Sequence, residues 1–181
     1  MRTFMFQICC FLLCISSALS QNAKKVNGDI IKDYGVTFEV NNPDYKTEVD
    51  SDFKVIFDVD KSSEDRSIVN KHLEIAARFL NMHVNAGIKP EHLKVAMTIH
   101  ADASEDMLNN DIYHQKFGVD NPNIKLINDL SDAGVDIIIC GQAVAKRNIS
   151  REDINPKVKI ALSATTALIQ YQNKGYRFIK Y

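Results

Sequence analysis

Five short runs rich in Val, Ile and Phe, separated by stretches of helical periodicity, constrain this chain more than any other feature. They are residues 53–59, 93–100, 135–139, 158–162 and 176–179. Phe53-Lys54-Val55-Ile56-Phe57-Asp58-Val59 reads as a strand, and Val135-Asp136-Ile137-Ile138-Ile139 is apolar enough to be buried on both faces. Between the first two runs Ile68, Val69, Leu73, Ile75, Ala76, Phe79, Leu80 and Ala86 fall largely on one side at a 3.6-residue period. Ser62 and Asp65 stand before them at capping-box spacing, and Gly87 supplies the stop. Residues 104–117 read as one or two short helices, and Pro122 opens another that ends on Gly134. A short helix is expected over 141–146. Ser163 caps a further one through Gln172, with Gly175 as its end. This alternation predicts an α/β fold, a three-layer α/β/α sandwich around a mostly parallel sheet of about five strands. Ligands of such sheets sit at the carboxyl ends of the strands, which directs attention to Asp58, Asp60, His100, Asp102, Cys140 and Ser163.

The chain divides into residues 1–20, 21–52 and the domain over 53–181. The first begins Met1-Arg2-Thr3, continues with an apolar run from Phe4 to Leu19 and closes on Ala18-Leu19-Ser20. It reads as a secretory signal peptide, too short and too weakly flanked for a membrane span. The expected mature protein starts near Gln21 and is exported, periplasmic or secreted, and free of the membrane. Residues 21–52 are a polar arm with four lysines against seven Asp and Glu. Val36, Phe38 and Val40 alternate, as do Tyr45, Thr47 and Val49, around the turn residues Asn41-Asn42-Pro43-Asp44, so a small hairpin is expected there. Loss of Arg2 with the leader leaves 21 basic residues against 23 acidic ones. That balance gives no reason to expect nucleic acid as a partner.

Cleavage also removes Cys9, Cys10 and Cys14. Cys140 remains alone, so no intramolecular disulfide can form. No phosphate-cradling glycine loop, dinucleotide fingerprint, serine nucleophile elbow, C-x-x-C or H-E-x-x-H occurs, and no metal or cofactor is expected. Asp58 and Asp60 share a strand face and suit acid and base roles, but helix capping is the plainer reading. His72 and His83 are too far apart in sequence to share a metal and read as core or interface residues. His92 and His114 fall in surface segments. His100 ends the second strand and is the histidine able to face the same crevice as Cys140. Cys140 itself is open to two readings: a small inert core residue, or a thiol whose anion the following helix N-terminus favours. Asn148-Ile149-Ser150 fits a glycosylation sequon.

The run from Val135 through Cys140-Gly141-Gln142-Ala143-Val144-Ala145-Lys146-Arg147 resembles the DsrE/DsrF-like family of sulfur-relay proteins, which have a YchN-like fold. In that family a strand-end cysteine leads into an alanine-rich helix with basic residues, matching Cys140, Ala143 and Arg147. Residues 77–83, 118–123 and 161–168 are similar to an exported branch of the family. The resemblance implies a trimer or hexamer, with Cys140 as the residue that carries a persulfide between a donor and an acceptor protein. Gly141-Gln142 departs from the valine-alanine pair of the intracellular members. His100, Gly141, Gln142, Asn81 and Asn123 are the accompanying candidate binding residues. Two rivals stand beside sulfur relay: an oligomeric module that binds a small ligand or partner with Cys140 only structural, and a sulfurtransferase-like enzyme.

Overall fold

The computed structural model describes residues 24–180; the expected signal peptide lies outside the described residues. Five parallel strands form the sheet: β3 (Phe53–Val59), β4 (Leu93–Ile99), β5 (Asp136–Cys140), β6 (Lys159–Ala161) and β7 (Arg177–Lys180). Their order is β6-β5-β4-β3-β7, so the chain steps outward one strand at a time and then returns across the sheet to place β7 beside β3. The intervening helices pack on one face and the returning helix on the other, the arrangement that the right-handed crossover rule predicts. The three-layer α/β/α sandwich is therefore present.

Alternation along each strand assigns the two faces. Val55, Phe57, Val59, Val95, Met97, Ile99, Ile137 and Ile139 enter the main core with Leu73, Ala76 and Leu80 of α1 (Glu74–Asn85, counting Leu73 just before it) and Leu126, Ile127 and Leu130 of α3 (Ile124–Asp132). On the opposite face Ile56, Ala96 and Ile138 meet Ala167 of α5 (Ala164–Asn173) in a much smaller cluster. Gly87, Gly134 and Gly175 follow their helices with positive φ, as the sequence requires of a left-handed stop. Ser163 caps α5 by accepting from the Thr166 amide at 3.0 Å.

The first helix starts later than its apolar pattern suggests. Ser62 donates to Asp106 Oδ1 at 2.5 Å and Asp65 Oδ1 accepts from the Ser67 amide at 2.8 Å, so neither serves a capping box. Asn70 accepts the His72 amide on its side chain and the Leu73 and Glu74 amides on its carbonyl. These local side-chain bonds compete with the helical ladder, and α1 starts only at Glu74. Between β4 and β5 lie a 3-10 segment (Ala101–Met107) and α2 (Asn110–Phe117), as expected of residues 104–117.

The arm also pairs differently from its alternation. Strand β2 (Thr37–Phe38) runs antiparallel to β1 (Lys25–Val26), and Tyr45 to Val49 forms no strand. The cause is Asn81 on α1, which is fully buried and holds the intervening turn. Its Oδ1 accepts from the Ile31 amide at 3.0 Å, and its Nδ2 donates to the carbonyls of Ile31, Tyr34 and Gly35 at 3.0, 2.9 and 3.3 Å. Pinning residues 31–35 makes them the loop of the hairpin. Among the described residues no helix is long and apolar enough to cross a membrane.

Candidate functional site

Three neighbouring strands bring their carboxyl ends together. Asp58 of β3 is in register with Thr98 of β4, and Ile99 of β4 with Ile139 of β5. His100 and Cys140 are therefore the residues that follow this register on adjacent strands, and neighbouring strands run about 4.8 Å apart. Period-two alternation places Asp58, Thr98, His100 and Cys140 on one face, the face that α5 covers.

Asp58 is the anchor of this row. Only 5% of it is exposed, and its Oδ1 accepts from His100 Nε2 at 2.9 Å and from Thr98 Oγ1 at 3.1 Å. Its Oδ2 accepts from Lys180 Nζ at 3.2 Å, and the same ammonium reaches Asp60 Oδ2 at 2.9 Å. That hydrogen bond from Lys180 holds the Asp60 carboxyl below the usual range, and the two carboxylates raise Lys180. A buried carboxylate surrounded by donors fixes the His100 ring through Nε2 and leaves Nδ1 for other work. Neither aspartate caps α1, in contrast to the plainer sequence reading. Asp60 instead uses its carbonyl to hold the chain turn after β4, accepting from the Asp102 and Ala103 amides.

Cys140 ends β5 and is the residue from which α4 (Gly141–Lys146) departs. It is buried, 8% exposed, and packs against the small side chains of Ala143 and Ala164. The end of β6 closes over it. A Cβ at Gly141 would lie 2.4 Å from the Ala161 carbonyl oxygen and 3.2 Å from that of Leu162. Gln142, exposed, donates from Nε2 to the same Leu162 carbonyl at 3.3 Å. Gly141 and Gln142 thus hold the lip at residues 161–162, where Leu162 is open to solvent. Arg147 is drawn away to Asp102 at 3.5 Å and Glu105 at 3.7 Å.

Of the residues singled out from the sequence, Cys140, Gly141 and Gln142 meet at the end of β6, and His100, bonded to Asp58, follows the end of the neighbouring strand β4. Asn81 and Asn123 do not. Asn81 is the staple of the arm described above. Asn123 is 1% exposed and belongs to a buried network in which its Oδ1 accepts from the Asn70 amide at 2.8 Å and its Nδ2 donates to Asn121 Oδ1 at 3.1 Å. Asn70 Nδ2 in turn donates to Asp106 Oδ2 at 2.7 Å, and burial raises the Asp106 carboxyl. Both asparagines satisfy interior backbone. His83 is half-buried between the rings of Phe53 and Phe79, at centroid distances of 5.1 and 4.0 Å, and burial lowers its pKa. His92 and His114 pair with Asp52 and Asp120 at 2.8 and 3.0 Å. The partners that sequence reasoning missed are Thr98 and Lys180; Asp58 was visible in it as a strand-end carboxylate, lacking only the knowledge that its strand neighbours that of His100.

The sequence model of the DsrE/DsrF-like family matches residues 54–181, the whole sheet with all the helices that cover it. The chain belongs to the DsrE/DsrF-like family. Among solved structures, a protein of unknown function from Methanobacterium thermoautotrophicum superposes with a TM-score of 0.54 at 16% identity, covering 72% of this chain and 100% of that one. The YchN protein of E. coli gives the same TM-score and identity over 71% of this chain and 99% of its own. At that identity both speak to the fold alone, which agrees with the DsrE-type α/β architecture. Comparison with curated proteins gives no match. The DsrE domain accounts for β3 to β7, and the arm before residue 54 lies outside the family match.

Proposed function

We propose that this DsrE/DsrF-like protein carries a sulfur species as a persulfide on Cys140, after export, and works as a homotrimer or hexamer. Association of the family with sulfur relay supports the general assignment. The observation that carries the specific one is the row Asp58, His100, Cys140 across three strand ends. In the proposed cycle the Cys140 thiol gives its proton to His100 Nδ1, and the thiolate attacks the terminal sulfur of a donor persulfide. The donor S–S bond breaks as the Cys140 S–S bond forms, and the departing donor thiolate takes the proton from His100. An acceptor thiolate then attacks the outer sulfur and releases the Cys140 thiolate. No net oxidation occurs, because the sulfane sulfur moves between thiols. The six-residue helix α4 adds amide dipoles at the sulfur. Asp58 keeps the imidazole oriented through Nε2. The Arg2 start and the Ala18-Leu19-Ser20 end of the leader support export.

A second reading draws on the burial of Cys140 among Ala143 and Ala164, which suits a structural thiol in a binding module. Iodoacetamide labelling of the native protein separates the two. The relay reading expects Cys140 to react without denaturant at neutral pH. Labelling only after unfolding would support the binding module and remove the relay.

A further inference from the structure

Lys180 is an exposed residue on an outer strand, where a lysine ordinarily serves to keep the sheet edge soluble and unpaired. The register gives this one a further task. Across the parallel pair of β3 and β7 it stands opposite Asp58, and its ammonium reaches Asp58 Oδ2 at 3.2 Å and Asp60 Oδ2 at 2.9 Å. Both carboxylates favour the charged form of the amine.

The row of strand ends depends on how Asp58 is turned. An aspartate carboxyl rotates in a broad, nearly two-fold well, so its partners select the orientation rather than its own torsion. Oδ1 receives His100 Nε2 at 2.9 Å, but Thr98 is a divided partner, its one proton shared between Oδ1 at 3.1 Å and the Phe57 carbonyl at 3.4 Å. Lys180 is the donor that holds Oδ2, on a residue only 5% exposed. Take the ammonium away and a buried anion loses its charged partner, so the carboxyl turns to recover a donor. Among the described residues Asp58 is the only hydrogen-bond partner of the His100 ring. A ring held through Nε2 carries its proton there and presents Nδ1 bare, so the tautomer follows the carboxyl. We propose that Lys180 is a positioning residue: by clamping Asp58 through Oδ2 it keeps Oδ1 on His100 Nε2, and so fixes the ring and its tautomer beside the thiol strand. Lys180 acts through Asp58 and not on the sulfur. The clamp deepens the relay reading and rests on it only for the use made of Nδ1.

The test compares the mature chain with Lys180→Met, Lys180→Ala, Lys180→Arg and Lys174→Met. The last removes an equal charge from the same end of the chain, at a lysine that lies over the Tyr171 ring at 5.2 Å. Long-range proton–nitrogen NMR of the histidine rings at about pH 8, above the ordinary imidazole range, reads the tautomer. Iodoacetamide labelling of native Cys140 reads the consequence at the thiol, and thermal unfolding reports on the fold. The Nε2–H form alone is expected for His100 in the parent chain, in Lys180→Arg and in Lys174→Met. Lys180→Met and Lys180→Ala should give a mixture of tautomers, with labelling slower by roughly threefold to tenfold. Neutral variants that lower the melting temperature yet keep the single tautomer would make Lys180 a merely structural residue and overturn the proposal. Loss of the tautomer in Lys180→Arg or in Lys174→Met would overturn it as well. A tautomer lost in both neutral variants with labelling unchanged upholds the clamp and instead removes His100 from the relay reading.

Discussion

Replacing Asn81 by Ala removes a side chain that makes four hydrogen bonds and touches no part of the thiol edge. The Ile31 amide loses its acceptor in a position where Ile31 is 1% exposed, and an unsatisfied buried donor costs about 1–3 kcal/mol. The three carbonyls that share Nδ2 lose less, since each keeps a second lone pair and water can follow the loosened turn. Together these give an expected destabilisation of about 2–4 kcal/mol, a large share of the usual stability of a domain this size. The assay is urea unfolding of the mature chain with hydrogen exchange read at the Ile31 amide. Exchange at Ile31 should accelerate more than at Met97 or Ile139, because the arm detaches before the sheet opens. A loss below about 0.5 kcal/mol with Ile31 still protected would refute the reasoning and return Asn81 to the candidate ligand residues. Gly28 offers an internal check on the same contact, since a Cβ there would sit within 2 Å of the Asn81 amide group.

Gly141→Ala should drive the lip at residues 161–162 away from α4 and cost about 1–3 kcal/mol, the usual scale for overpacking, measured as a lowered melting temperature. Asp58→Asn keeps the shape of the anchor while removing its charge, and should slow alkylation of Cys140 at neutral pH about tenfold with the fold retained; an unchanged rate would detach the His100 pair from the thiol. His83 has its pKa lowered by burial, so the unfolded chain binds the proton more readily than the folded one. Stability should therefore fall as pH drops below about 6.5, and His83→Phe should remove that part of the slope in urea titrations repeated across pH.

Much of the fold was legible because its signals are local. The apolar runs of β3, β4 and β5, the glycines after the helices and the Ser163 cap each act within a few residues of sequence. What stayed hidden depends on pairing between distant segments. Nothing near Arg177 says that β7 returns to lie beside β3, and only that return brings Lys180 to Asp58 and Asp60. The late start of α1 has a similar origin, since Asn70 and Ser62 are recruited by Asp106 from 36 and 44 residues away. At the site, Cys140 and His100 were visible as strand ends, whereas their adjacency required the sheet order. That Asn81 and Asn123 lie away from the thiol edge was hidden too, because a buried asparagine that satisfies backbone carries the same sequence appearance as one that binds a ligand.

The central claim is that Cys140 accepts a sulfane sulfur. Intact-mass measurement of the mature protein after incubation with a low-molecular-weight persulfide, followed by removal of the donor, tests it directly. The account predicts a product heavier by one sulfur atom, reversed by a reducing thiol and absent from Cys140→Ser. An unchanged mass for a Cys140 that alkylates readily under the same native conditions would contradict it.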